Sequence, residues 1–80
     1  MFDQSFSDLR REIAKAFDKT ELDMLARDIG IDPQEIGGET LRERVAELVS
    51  MASRRRGMKQ LQVQIRKARP QFPPDVLEHI

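Results

Sequence analysis

Few residues in this chain are of the types that make or break bonds. There is one histidine, His79, beside the last residue, and no cysteine among the 80 residues. Nucleophilic catalysis needs a Ser, Cys or Thr activated by a neighbouring base, and nothing ties His79 to a serine; it reads as a partly exposed terminal side chain. A tetrahedral zinc site needs cysteines or several histidines, so no metal ligand set is expected. Carboxylates are plentiful, but Asp18 with Glu21, Asp32 with Glu35, and Thr40 with Glu43 each follow the spacing of a helix capping box. That role absorbs the acids that paired-carboxylate chemistry would require. Gly37-Gly38 lacks the lysine and preceding strand of a phosphate-binding loop and reads as a helix stop. No catalytic residue, cofactor site or small-molecule substrate is expected.

The informative chemistry is charge placement. Fourteen basic and fourteen acidic side chains cancel overall, which gives the whole chain no electrostatic claim on nucleic acid or membrane. The halves differ, however. Residues 1–40 carry five basic and ten acidic side chains, a net of −5, and residues 41–80 carry nine and four, a net of +5. Nothing between Glu47 and Asp75 is acidic, and that span holds Arg54, Arg55, Arg56, Lys59, Arg66, Lys67 and Arg69. Two surfaces of opposite sign favour a head-to-tail contact between copies, which propagates as a filament where it fails to close into a ring.

The elements that must position these charges are helices. Leu, Ile, Val and Phe number 21 of 80 residues, enough for folding, and the length suits one compact domain spanning 1–80. Phe2, Phe6, Leu9, Ile13 and Phe17 form a first apolar stripe. A second helix is expected from Lys19 to Ile29, with Leu22, Leu25, Ala26 and Ile29 inward and Gly30 closing it. Asp32-Pro33 starts a short third helix that Gly37-Gly38 ends. A fourth follows Thr40, with Leu41, Val45, Leu48, Val49 and Ala52 inward. Gly57 breaks the chain, Met58, Leu61, Ile65 and Ala68 trace a fifth helix, and Val76, Leu77 and Ile80 mark a sixth. The expected class is all-α, with six helices. No alternating strand pattern, membrane span or signal-peptide order is present, so a cytoplasmic protein is expected.

The run Ala16-Phe17-Asp18-Lys19-Thr20-Glu21-Leu22-Asp23-Met24-Leu25, then Ile29-Gly30-Ile31-Asp32, then Glu47-Leu48-Val49 ahead of Arg54-Arg55-Arg56-Gly57 and Leu61, ending at Arg69-Pro70, resembles the bacterial death-like or effector-associated domains. The resemblance covers roughly residues 5–79. It implies an antiparallel six-helix bundle of Greek-key death-fold topology without activity of its own. Such domains sit at one end of multidomain proteins in bacterial defence and signalling and recruit partners bearing a similar domain. The chain departs from the animal death-effector pattern in its sixth helix, which lacks the Arg-x-Asp-Leu element that pairs with a second-helix acid. Glu21 matches the acid, and its basic partner has to come from elsewhere. Met1 reads as the natural start, with a continuation beyond Ile80 expected.

The expected function is thus a protein–protein interaction module whose partner carries a similar domain, the chain itself included. Its expected interface residues are Glu21, Asp23, Met24 and Asp28 on the second helix, and Arg54, Arg55, Arg56, Lys59, Val63, Arg66 and Lys67 at the fourth helix end and on the fifth. Met24 and Val63 fall off the inward stripes and would supply an apolar centre. The rival reading is a small nucleic-acid-binding regulator using the helix from Met58 to Ala68, because clustered cations release counterions from phosphates. The absence of aromatic residues near those cations weighs against it.

Overall fold

The computed structural model describes residues 4–78, so the expected roles of Phe2, His79 and Ile80 lie outside the described residues. Among the described residues five α-helices follow one another: α1 (Gln4–Ala16), α2 (Lys19–Asp28), α3 (Leu41–Arg54), α4 (Met58–Ala68) and α5 (Pro74–Glu78). The class is all-α, with no strand among the described residues. One expectation is corrected: the short third helix is a single 3₁₀ turn, Pro33–Glu35, which leaves five α-helices where six were expected. The reason is local. The Asp32 carboxylate accepts from the Gln34 backbone N–H at 2.9 Å, and the amides of Glu35 and Ile36 donate to the carbonyls of Asp32 and Pro33, three residues back. Ile36 then turns to an extended conformation, ψ 116°, ahead of Gly37 and Gly38, and the helix does not continue.

The helix ends are set by side-chain and backbone caps. Asp18 and Glu21 form a full capping box at the start of α2: the Asp18 carboxylate accepts from the Glu21 amide at 2.8 Å, and Glu21 accepts from the Asp18 amide at 3.1 Å. At its end, the Gly30 amide donates to the Arg27 carbonyl and the Ile31 amide to the Ala26 carbonyl, with Gly30 at φ +82°. This is a Schellman closure, and its apolar pair, Ala26 with Ile31, is buried. The same pair of bonds closes α3, from Arg56 to Ser53 and from Gly57 to Ala52, but there the left-handed residue is Arg56 at φ 56°. Gly57 begins α4 with an ordinary φ of −97°.

Helical spacing converts these boundaries into one core. Leu9, Ile13 and Phe17 from the first stripe, Leu22, Leu25 and Ala26 from α2, Val45, Leu48, Val49, Met51 and Ala52 from α3, and Leu61 and Ile65 from α4 are buried together. Ile31, Ile36, Phe72 and Leu77 seal the connections and α5 onto them. Ala68, expected inward, is exposed at the end of α4. The Cα radius of gyration of 11.3 Å is close to the value of about 12 Å for a close-packed chain of this length. Among the described residues, no buried polar side-chain atom lacks a partner, and no helix is long and apolar enough to cross a membrane.

Two backbone positions make opposite predictions. A Cβ at Gly38, φ +99°, would lie 2.6 Å from the Glu43 Cβ, so Gly38→Ala should destabilise the fold by more than about 1 kcal/mol. Arg56→Gly relieves the left-handed strain and should stabilise it by about 1 kcal/mol. Thermal denaturation followed by circular dichroism checks both signs.

Candidate protein interface

The expected interface residues lie on two helices and one corner. Helix α2 runs from its capping box with Leu22, Leu25 and Ala26 inward, and this turns Met24 and Asp28 to solvent. Met24 is 58% exposed, and beside it a cleft of about 130 Å³ is floored by Phe17, Leu25 and Ala68, with Glu21, Asp28 and Arg69 at its edges. Helix α4, held inward by Leu61 and Ile65, presents Lys59, Val63, Arg66 and Lys67 outward. Val63 is 45% exposed and has Lys59 four residues before it and Arg66 and Lys67 three and four residues after it, so the three cations surround it on the helix surface. Arg54, Arg55 and Arg56 form the corner between α3 and α4, all exposed.

Three of the expected interface charges are engaged within the molecule. Glu21 pairs with Arg69, Asp23 with Arg44 at 2.8 Å, and Arg55 with Glu35 at 3.1 Å. Each pair joins the acidic half to the basic half, so the two surfaces are less separated than the residue counts suggest. Glu21 is fully occupied: one carboxylate oxygen closes the capping box and the other accepts from Arg69. Among the described residues, Asp28, Arg54, Arg56, Lys59, Arg66 and Lys67 form no ion pair.

Arg44 and Arg69 fall outside the expected site, yet they organise its surroundings. Arg44 donates to the Ile36 carbonyl at 3.2 Å and the Pro33 carbonyl at 3.4 Å as well as to Asp23, fastening the 3₁₀ turn to α2 and α3. Arg69, just past α4, donates from Nε to the Ala16 carbonyl at 3.0 Å and lies 4.7 Å from the centre of the Phe17 ring. Arg69 therefore supplies the basic partner of Glu21 that the sixth-helix sequence lacks. A signal for Arg44 existed in its spacing: it stands three residues after Leu41 and four before Leu48, on the flank of the buried stripe.

The effector-associated domain 7 family matches residues 9–70, well over half of the chain. The chain belongs to this family. No curated protein and no solved structure matches it. As an effector-associated domain it is a regulatory or interaction module of a non-catalytic kind. Among the described residues, no group of three or more His, Cys, Asp or Glu is placed to hold a metal ion.

The hydrogen bond from Arg69, and after it that from the Asp18 amide, hold the Glu21 carboxyl below the ordinary glutamate range. A depressed folded pKa gives stability that is complete above the unfolded value, near 4.3, and is lost as pH falls through the folded value. Glu21→Gln keeps an oxygen for the capping box and loses the ion pair. Its melting temperature should therefore lie below that of the wild type at pH 7, and the gap should close as the pH is lowered through the acid range; thermal melts at stepped pH check this.

Proposed function

We propose that this domain associates with other copies of itself, or with a similar domain on a partner, and thereby brings attached effector domains together in a bacterial defence or signalling system. In this reading the five α-helices and the 3₁₀ turn follow a Greek-key death-fold arrangement, the turn standing in for the third helix. The observation that carries the proposal is the pairing of shapes and charges on α2 and α4. Val63 is an apolar knob within a ring of cations, and the cleft beside Met24 has an apolar floor with Asp28 at its rim. Seating Val63 of one copy in the cleft of the next would bring Lys59, Arg66 or Lys67 against Asp28. The two surfaces differ, so the contact is heterologous and propagates unless it closes into a ring. Charge complementarity sets the register, and burial of Val63 and Met24 supplies the apolar contribution.

Nucleic acid gains less support. Phe17 and Phe72 are buried and Phe6 is half-buried, so the described aromatic residues offer no exposed ring for base stacking.

Light scattering across protein and salt concentration tests the proposal. Association should rise with concentration and weaken with salt. Val63→Glu should weaken it by about tenfold or more, equivalent to at least about 1.4 kcal/mol. Asp28→Lys and Lys67→Glu should each weaken it, and mixing the two variants should restore part of the loss. A strictly monomeric chain indifferent to salt that also fails to bind a similar domain would overturn the proposal.

A further inference from the structure

The line along which α1 meets α3 carries charges that the half-by-half count conceals. The helices run antiparallel, with Ala14 and Lys15 of α1 beside Leu41 and Arg42 at the start of α3, and Phe6 and Arg10 beside Val49 and Arg54 toward its end. Two cavities of about 490 Å³ and 190 Å³ open along this seam, and Arg10 lines both. The larger has an apolar floor of Ala14 and Leu41 under Arg10, Arg11, Lys15 and Arg42. Arg11 is matched by Asp8 at 2.7 Å and Lys15 by Glu12 at 3.5 Å, both on α1 itself. Among the described residues, Arg10 and Arg42 form no ion pair. The seam is thus an apolar trough with one uncompensated guanidinium on each wall, Arg10 from the acidic half of the chain and Arg42 from the basic half.

The complementary surface is on the outward side of the same α3. Glu43 and Glu47 are exposed, one helical turn apart, and line a groove of about 360 Å³ with Ala46 between them and Gly38 at its end. Neither carboxylate forms an ion pair among the described residues. Residues four apart on a helix lie on one face, with Cβ atoms about 5–6 Å from one another. Arg42 leans to the α1 side of α3 while Glu43 and Glu47 face away from it, so one molecule cannot close this contact on itself.

We infer that the α1–α3 seam receives the Glu43–Glu47 ridge of a second copy, with Arg10 and Arg42 meeting the two carboxylates and Ala46 resting over Ala14 and Leu41. This contact rests on the reading of the chain as a self-associating module and adds to it a second heterologous interface, distinct from that of Val63 and Met24. With two such contacts, each copy engages neighbours in more than one direction, and a single-file chain becomes a laterally braced assembly. The apolar floor, and the pairing of Arg11 and Lys15 with Asp8 and Glu12, favour a protein ridge over the continuous phosphates of a nucleic acid.

The chain has no cysteine, so single introduced cysteines report the contact directly. A Ser7→Cys chain and a differently tagged Ala46→Cys chain, mixed at associating concentration and oxidised, should form a disulfide-linked pair. Arg10→Glu with Arg42→Glu on the first chain should reduce its yield about tenfold or more, and Glu43→Arg with Glu47→Arg on the second should restore it. Position 42 lies in the first turn of α3, where negative charge suits the helix dipole, so folding should survive; circular dichroism checks this. If the chain associates and responds to Val63→Glu but yields no cross-link and ignores these reversals, the seam is overturned and self-association stands. If no association occurs at any concentration, both fall. Binding of a single-stranded DNA oligonucleotide that Arg42→Glu abolishes, with no cross-link, would overturn the seam in favour of a nucleic-acid ligand.

Discussion

Burial of one shared apolar core is the constraint on which the rest of this molecule depends. A chain of 80 residues without cysteine has no disulfide and no thiolate metal site to reinforce it, and a core of this size supplies only about 3–5 kcal/mol of net stability. Among the described residues seventeen buried apolar side chains reach it, from all five helices and from the connections. Ile31 and Ile36 on either side of the 3₁₀ turn, and Phe72 before α5, show that even the irregular segments are held by apolar anchors. No charged side chain is fully buried among the described residues. All the ionic chemistry therefore lies at the surface, where it adds little to stability and can be arranged for recognition.

That surface is organised by two arginines that fasten helix ends. Arg44 holds the 3₁₀ turn against α2 and α3, and Arg69 holds the end of α4 against the end of α1 and the start of α2. Their carboxylate partners, Asp23 and Glu21, are thereby tied to the fold. Several of the charges that form no ion pair among the described residues cluster in distinct places: Lys59, Arg66 and Lys67 around Val63, Asp28 beside Met24, Arg10 and Arg42 along the α1–α3 seam, and Glu43 and Glu47 on the outer ridge of α3. A small module with several separate charged surfaces is suited to holding neighbours in a defined order, since misaligned like charges are costly and matched ones fix the register.

The departures from local rules are few. Arg56 adopts a left-handed conformation that glycine would take without strain, at the corner where α3 hands over to α4. Gly38 is required because the chain passes against the Glu43 side chain as it enters α3. One position carries strain and the other avoids it, and both shape the surfaces on either side of α3.

Much of this architecture was legible in the residues themselves. Caps and apolar periodicity act within one or two helical turns, so Asp18 with Glu21, Gly30, Thr40 and most of the described stripe positions of α1 to α4, Ala68 excepted, could be read directly. The 3₁₀ turn reads as a short helix in the sequence because capping spacing is identical for both, and the extended Ile36 that ends it after one turn leaves no periodic signal. Which charges remain free is a different kind of question. Arg69 meets Glu21 across 48 positions and Arg44 meets Asp23 across 21, and no local rule links residues so far apart. The basic seam likewise exists only because α1 and α3 lie antiparallel, bringing Arg10 and Arg42 to one trough. Composition and periodicity determined that the chain is helical with opposed charges in its two halves; beyond the local pairs within α1, tertiary packing decided which of those charges neutralise one another and which form no ion pair among the described residues, because pairing between elements depends on separation in space and not along the chain.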